Sequence, residues 1–278
     1  MPPVAPPVFV GGLNRSGTTL MARILGSGSA LAFAPSEFLF FGRGAGVEPA
    51  DRPDFERRLG EILGWPRVLE WGLDEHRVLA SSRTWPACAR SLFLLPLEAY
   101  RARLGKERVG EKSVLNEFRI STFREWLGDF RLVHMVRDPL ATYASGHQHA
   151  PPDLRRAVRW ARLWRESARL GLRGRRDDPA RYRLVRYEDL TAQPAATVAG
   201  IAEFLGIPFE EQAMLGLQGA VVDPRERAAT AAVCGRIAER LGYIVDDDRR
   251  HGVAVAAAHV AEDARPRHRL RTIAARFS

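Results

Sequence analysis

Residues 8–25 read Val-Phe-Val-Gly-Gly-Leu-Asn-Arg-Ser-Gly-Thr-Thr-Leu-Met-Ala-Arg-Ile-Leu: an apolar run, a polar turn bounded by glycines, then apolar positions at helical spacing. The run from Val8 to Gly12 has the make-up of a buried parallel strand. Leu20, Ile24 and Leu25 fall on one face of a helix that Ser16 or Thr18 can cap and that Gly26 and Gly28 end. A strand turning sharply into a helix builds a cradle for an anion. Amides at a helix start lack intrahelical partners, and the helix dipole adds partial positive charge there. The segment nearly fits the spacing G-x-x-x-x-G-K-[ST], with Gly12, Gly17 and Thr19 in register. Thr18 stands where that pattern has its lysine, and a cation appears inside the turn instead, as Arg15. In nucleoside triphosphatases the lysine reaches the β- and γ-phosphates and the next hydroxyl holds magnesium. This loop is therefore expected to hold a phosphate or sulfate through other contacts and without a metal.

The rest of the chain alternates strand and helix patterns. Strands are predicted near 30–34, 108–112, 130–136 and 181–185, and helices near 121–127, 154–172, 197–205 and 229–242, with 254–261 helical as well. Asp138-Pro139 opens a helix directly after the 130–136 strand, a position that suits proline. Residues 54–104 carry helical patterns broken at Pro66, Pro86 and Pro96, and 42–53 is a glycine- and proline-rich loop. This order predicts an α/β chain: a P-loop-like three-layer fold with a central, mostly parallel sheet flanked by helices and its ligand at the carboxyl ends of the strands. No linker divides it, so residues 1–278 are read as one domain, with an arginine-rich tail at 266–278 expected to fray.

Charge and cysteine content bound the function. The net charge is +9, carried by forty arginines and only two lysines, Lys106 and Lys112. The charge is spread along the chain and no nucleic-acid-binding motif accompanies it, so a solvated basic surface is the plainer reading, and an anionic substrate fits the same balance. Two cysteines, Cys88 and Cys234, make no disulfide framework and point to a reducing compartment. The start Met-Pro-Pro-Val-Ala-Pro-Pro lacks the build of a signal peptide, and no apolar run reaches the length of a membrane span. A cytoplasmic protein is expected.

Several further signals fall in one order along the chain. After the cradle come Glu37, Glu111-Lys112-Ser113, the run Leu-Val-His-Met-Val-Arg-Asp-Pro at 132–139 with Ser145 eight residues past Arg137, Leu-Val-Arg-Tyr-Glu-Asp-Leu at 184–190, Phe204-Leu205-Gly206-Ile207-Pro208 and Leu241-Gly242-Tyr243. This set resembles the sulfotransferases that use 3′-phosphoadenosine 5′-phosphosulfate (PAPS). It is most similar to the branch that holds the tyrosylprotein sulfotransferases and many bacterial small-molecule enzymes. The resemblance covers about residues 8–243 and is most specific at 15–19 and 136–145. It implies that the loop residues Asn14, Arg15, Ser16, Gly17, Thr18 and Thr19 hold the 5′-phosphosulfate end. It implies that Arg137 and Ser145 bind the 3′-phosphate, that Tyr187 lies by the adenine or braces the site, and that Lys112 stabilises the transition state. It also implies a catalytic glutamate in the segment after the cradle helix, where Glu37 stands. PAPS is then the sulfuryl donor, 3′,5′-ADP its product, and no metal is needed.

The residue types suit these roles. A 3′-phosphate separates PAPS from ATP, and arginine offers a planar fork to it. Sulfuryl transfer, like loose phosphoryl transfer, rests on positioning and charge stabilisation, which backbone amides and Arg15 supply to the leaving phosphate. A carboxylate at Glu37, desolvated by Phe33, Phe38, Phe40 and Phe41, can take the acceptor's proton. Plainer readings stand beside each: Arg137 paired with Asp138 or another acid, Glu37 at a helix N-terminus, Lys112 paired with Glu111 or Glu117. Glu188 and Asp189 are read as helix caps, His147 and His149 as solvated, His134, Trp160 and Trp164 as core. The family's longer stretch before the terminal helix is reduced here to 207–240, where Arg225 and Arg227 are candidates to cover the nucleotide. A small molecule such as a secondary metabolite, a carbohydrate, a lipid and a peptide tyrosine are all admissible acceptors. A kinase-like phosphotransferase on the same scaffold is the alternative reading.

Overall fold

The computed structural model describes residues 5–148, 150–209 and 233–243. His149, Arg225, Arg227, the 254–261 helix and the 266–278 tail lie outside these residues. Five strands form one sheet: β1 (Val8–Gly11), β2 (Leu31–Phe33), β3 (Arg108–Lys112), β4 (Arg131–Val136) and β5 (Tyr182–Arg186). Their order is β2-β3-β1-β4-β5, and every pairing is parallel. Among the described residues, α-helices lie between and after the strands: α1 (Thr18–Ser27), α2 (Arg52–Leu63), α3 (Pro66–Leu69), α4 (Glu75–Ser82), α5 (Ala89–Leu104), α6 (Ile120–Leu127), α7 (Pro139–His147), α8 (Leu154–Asp177), α9 (Tyr187–Ala192) and α10 (Pro194–Leu205). A 3₁₀ turn, Asn116–Arg119, precedes α6, and residues 233–240 form a further helix. Among the described residues no helix is long and apolar enough to cross a membrane.

Alternation along the strands explains the three layers. In β1, Val8 and Val10 face one side and pack with Met21, Ile24 and Leu25 of α1 and Val198 and Ile201 of α10. Phe9 faces the other side, stacked on Phe123 of α6 with ring centroids 4.0 Å apart, among Phe93 and Phe130. Both faces are buried, which is why the strands read as unbroken apolar runs. A second group on that other side joins α7, α8 and the 233–240 helix through Tyr143, Trp160, Trp164, Ile237 and Leu241.

Two expectations fail for identifiable reasons. Pro96 does not break its helix but lies inside α5. Leu92, Phe93, Leu94, Leu95 and Leu97 around it are all buried, and their burial outweighs the roughly 3 kcal/mol a helical proline costs. Helix α8 runs on to Asp177, past the last apolar position, carried by arginines that favour helix. There it crosses β5 closely: a Cβ at Gly174 would overlap the Tyr182 ring, and one at Gly171 would stand 2.7 Å from Leu184.

A polar clamp ties the carboxyl ends of the central strands. Glu111 is buried in β3 beside Phe9 of β1. It accepts from Ser113 Oγ at 2.5 Å and from Asn116 Nδ2 at 2.7 Å. Asn116 also donates to the Val10 carbonyl at 3.1 Å, and Ser113 Oγ accepts the Leu39 N–H at 3.1 Å. Leu39 has φ +54°, so this bond steadies a strained turn just past Glu37. Burial pushes the Glu111 carboxyl up to about 7 from an ordinary 4.5, against the lowering effect of its two hydrogen bonds.

Two outcomes follow from the packing. Gly174→Ala lowers the unfolding free energy by about 1–3 kcal/mol, read as a lower urea midpoint with an unchanged slope. Glu111 holds its proton more tightly folded than unfolded, so its contribution to stability is complete below about pH 4.5 and is lost as pH rises to about 7. The stability of the wild type relative to Glu111→Gln therefore falls across that window, by up to about 3 kcal/mol, in urea titrations at pH 4.5 and 8. A difference that does not move with pH would mean that Glu111 ionises as it does in water.

Candidate active site

The loop between β1 and α1 sits at the carboxyl end of the central strand, where the chain crosses to opposite sides of the sheet and open α/β folds bind ligands. Gly12 leaves β1 at φ +133°, and a Cβ there would collide with the Met135 carbonyl. Gly17 has φ +91°, and a Cβ there would stand 2.5 Å from the Tyr187 ring. Between them Arg15 also takes a left-handed conformation, φ +70°, and the Ser16 N–H donates to the Leu13 carbonyl at 3.1 Å. The N-cap of α1 is Gly17, and among the described residues no side chain caps it. Ser16 and Thr18, expected from sequence to cap the helix, are instead buried. The first-turn amides of α1 are thus left to an outside acceptor.

Arg137, at the end of β4, joins the loop from the β5 side. Its Nη1 donates to the Arg15 carbonyl at 3.2 Å, and its guanidinium lies 4.4 Å from the Tyr187 ring centroid. Tyr187 thereby braces both Gly17 and Arg137. Arg15 Nε donates to Ser145 Oγ on α7 at 3.0 Å. Trp164 is core, as expected, and in addition its Nε1 donates to the Arg137 carbonyl at 2.8 Å. Asp138 does not pair with its neighbour: its carboxylate caps α7 by accepting the Ala141 N–H at 2.7 Å. An open cleft lined by Arg15, Ser145, Gly146, His147, Gln148 and Ala150 adjoins this cluster. His147 is not simply solvated; it stacks on Tyr143, and its Nδ1 is 2.9 Å from the Tyr143 carbonyl.

On the β3 side stands a second cluster. Lys112 Nζ, at the end of β3, donates to Glu37 Oε1 at 2.6 Å and to Thr19 Oγ1 at 3.0 Å. The other Glu37 oxygen accepts from Arg67 Nη1 of α3 at 3.1 Å. Glu37 is therefore neither at a helix start nor enclosed by phenyl rings. Phe38 and Phe40 turn into the core against Phe93, and the carboxylate lies between two cations with its side chain 18% exposed. Lys112 pairs with Glu37 rather than with Glu111 or Glu117.

Three connections escaped the sequence. Arg67 has no motif around it and reaches Glu37 only through the loop that precedes it. Glu188 does not cap α9; it accepts the Asp138 N–H at 2.9 Å and the Tyr243 hydroxyl at 3.0 Å, joining β4, α9 and the end of the 233–240 helix. Glu117 is buried beneath the cradle and accepts the Gly12 N–H at 2.8 Å. A carboxylate a few residues past Lys112 was visible, but its partner 105 positions away was not.

Comparison with known proteins gives this geometry a family. Among curated proteins none matches the chain. Solved structures with similar folds include the sulfotransferase domain from the curacin biosynthetic pathway, at TM-score 0.54 and 18% identity over 87% of this chain and 99% of that one. Sulfotransferase STF9 from Mycobacterium avium aligns at TM-score 0.52 and 15% identity over 87% and 78% of the two chains. The sulfotransferase domain from the Synechococcus PCC 7002 olefin synthase aligns at 0.50 and 22% over 92% and 94%. At these identities the likeness is one of fold. The sulfotransferase family model matches residues 6–211, from the segment before β1 to beyond α10, and the chain belongs to the sulfotransferase family.

Proposed function

We propose that the protein transfers the sulfuryl group of PAPS to a hydroxyl or amine of a small-molecule, carbohydrate or lipid acceptor, in line and without a metal. One observation carries the reading: Lys112 Nζ spans from Thr19 on the anion loop to Glu37, at 3.0 and 2.6 Å. A group transferred off the loop toward Glu37 has this ammonium alongside.

PAPS supplies a sulfuryl group on an activated phosphosulfate linkage. The α1 amides and Arg15 suit its phosphate, and Arg137 with Ser145 suits the 3′-phosphate that distinguishes it from ATP. The fit rests on the chain itself: a loop closed to side chains at Gly12 and Gly17, an uncapped helix start, and two arginines fixed beside it. Glu37 takes the proton of the acceptor as the new S–O or S–N bond forms and the bond to the 5′-phosphate breaks. That proton neutralises the partner of Lys112. The ammonium is then released toward the negative charge growing on the leaving phosphate, so proton removal and charge stabilisation are coupled through one side chain. Arg67 keeps Glu37 in place while this happens.

Two outcomes test the reading. 3′,5′-ADP raises the melting temperature, ATP with magnesium does not, and Arg137→Ala weakens 3′,5′-ADP by about 10–100-fold in calorimetric titration. No shift with 3′,5′-ADP at millimolar concentration refutes PAPS as donor. With an acceptor identified by a labelled-PAPS screen of hydroxyl and amine compounds, Glu37→Gln lowers kcat by about 10²–10⁴-fold while 3′,5′-ADP affinity persists. An unchanged kcat removes Glu37 as the base.

A further inference from the structure

A buried polar chain runs under the anion loop and none of the roles above uses it. Glu117 in the 3₁₀ turn, Ser167 on α8, His134 on β4 and Tyr182 on β5 are all buried. Ser167 Oγ lies 2.6 Å from Glu117 Oε1, and His134 Nε2 lies 3.1 Å from Ser167 Oγ. His134 Nδ1 meets the Tyr182 hydroxyl. The other Glu117 oxygen takes the Gly12 N–H at 2.8 Å.

The proton positions follow from what each group can do. A carboxylate only accepts, so Ser167 spends its single hydrogen on Glu117. Ser167 Oγ must then accept from His134, which places the imidazole proton on Nε2. Nδ1 is left as an acceptor, and Tyr182 donates to it. Burial lowers the His134 pKa, in keeping with a neutral ring. Every donor in the chain points toward Glu117, and Glu117 holds Gly12.

The position of this carboxylate is costly in two ways. Burying it takes several kcal/mol of desolvation. Among the described residues its one partner at ion-pair range is His134 Nε2, at 3.9 Å. It also sets negative charge beneath a loop built to receive anions. What it secures is the first peptide of that loop. The Gly12 N–H goes to Glu117, while the Gly12 carbonyl takes the Leu115 N–H at 3.1 Å. Leu115 itself is held at φ +67°, a strained conformation for leucine. Both polar groups of the Gly12 residue are thus bound to the 115–117 turn, and a charged acceptor grips an amide about twice as strongly as a neutral one.

We propose that Glu117 is a positioning residue of the anion loop: it fixes the Gly12 peptide, and the one-way chain Tyr182–His134–Ser167 fixes Glu117. The inference rests on the reading of residues 14–19 as the site of the phosphosulfate. Its effect is to order the loop before ligand arrives, so that ordering does not subtract from affinity.

The test compares Glu117→Ala with Glu117→Gln in the full chain. In Glu117→Gln the amide oxygen still accepts from Gly12, and the amide nitrogen now donates to Ser167. The Ser167 hydroxyl turns to His134 Nε2, and the ring proton moves to Nδ1. Nitrogen NMR of His134 therefore reads the Nε2–H form in the wild type and the Nδ1–H form in Glu117→Gln, a change that a mere packing role does not produce. Exchange of the Gly12 amide is slow in the wild type and in Glu117→Gln, and at least tenfold faster in Glu117→Ala. Calorimetric 3′,5′-ADP affinity falls about tenfold in Glu117→Ala and recovers to within about threefold in Glu117→Gln. An unchanged His134 tautomer, or equal Gly12 exchange in all three proteins, overturns the proposal. If Glu117→Ala does not fold, the Glu117→Gln tautomer decides, and a Gly12 amide that exchanges fast in the wild type overturns the proposal. A tautomer switch between the wild type and Glu117→Gln and slow Gly12 exchange in the wild type, together with no binding of 3′,5′-ADP, refute the PAPS reading and leave the loop anchor standing.

Discussion

The close approach of the Gly12 backbone to β4 sets the geometry of the whole site. At that residue the chain must leave β1, turn through φ +133° and pass so near the Met135 carbonyl that no side chain fits. The approach fixes where the loop goes next. It puts the Arg15 carbonyl within reach of Arg137 and Arg15 Nε within reach of Ser145, and it starts α1 where Thr19 meets Lys112. A longer turn would let the loop ride higher above the sheet and lose these contacts together. The second tight point, Gly17 against Tyr187, closes the loop from the β5 side, so the loop is held at both ends by packing and in the middle by hydrogen bonds.

Around this loop the charges are arranged so that each cation has a fixed direction. Arginine serves where a planar group can lie on something: Arg137 stacks over Tyr187 and Arg67 reaches across to Glu37. Lysine appears where one nitrogen must serve two partners in different directions, Thr19 and Glu37. In a chain with two lysines, this use of one of them has a stereochemical basis: an ammonium donates tetrahedrally, whereas a guanidinium donates in a plane. The surface ion pairs elsewhere, such as Arg57 with Glu61 or Arg176 with Asp177, are exposed and contribute little.

Much of this was legible in residues 8–25 and in the strand–helix alternation, because a parallel sheet buried on both faces leaves unbroken apolar runs and a tight turn with positive φ needs glycine. Strand β3 falls on its predicted bounds, and Lys112, Arg137 and Ser145, singled out through the resemblance, stand beside the loop. What the sequence hid were contacts between distant segments. Glu37 looked like a carboxylate among phenylalanines, yet period-two and turn geometry send those rings into the core and leave the carboxylate to Lys112 and Arg67, each 30 or more positions away. Glu117 was read as a partner for Lys112 and Glu188 as a helix cap, and each instead holds a backbone amide of another segment. Pro96 looked like a break because local propensity cannot see the burial that overrides it.

The strand order has one more consequence. Because β1 stands between β3 and β4, the residues around Arg137 belong to segments on one side of the loop and those around Glu37 to segments on the other. The first set comes from β4, α7 and β5; the second comes from β2, β3 and the stretch through α3. The contacts described for Arg137, Ser145 and Tyr187 come from Arg15, Gly17 and Trp164, and none comes from the 42–53 loop or from α2–α4. The architecture thus builds the two clusters from separate stretches of chain, and the β1–α1 loop is where they meet.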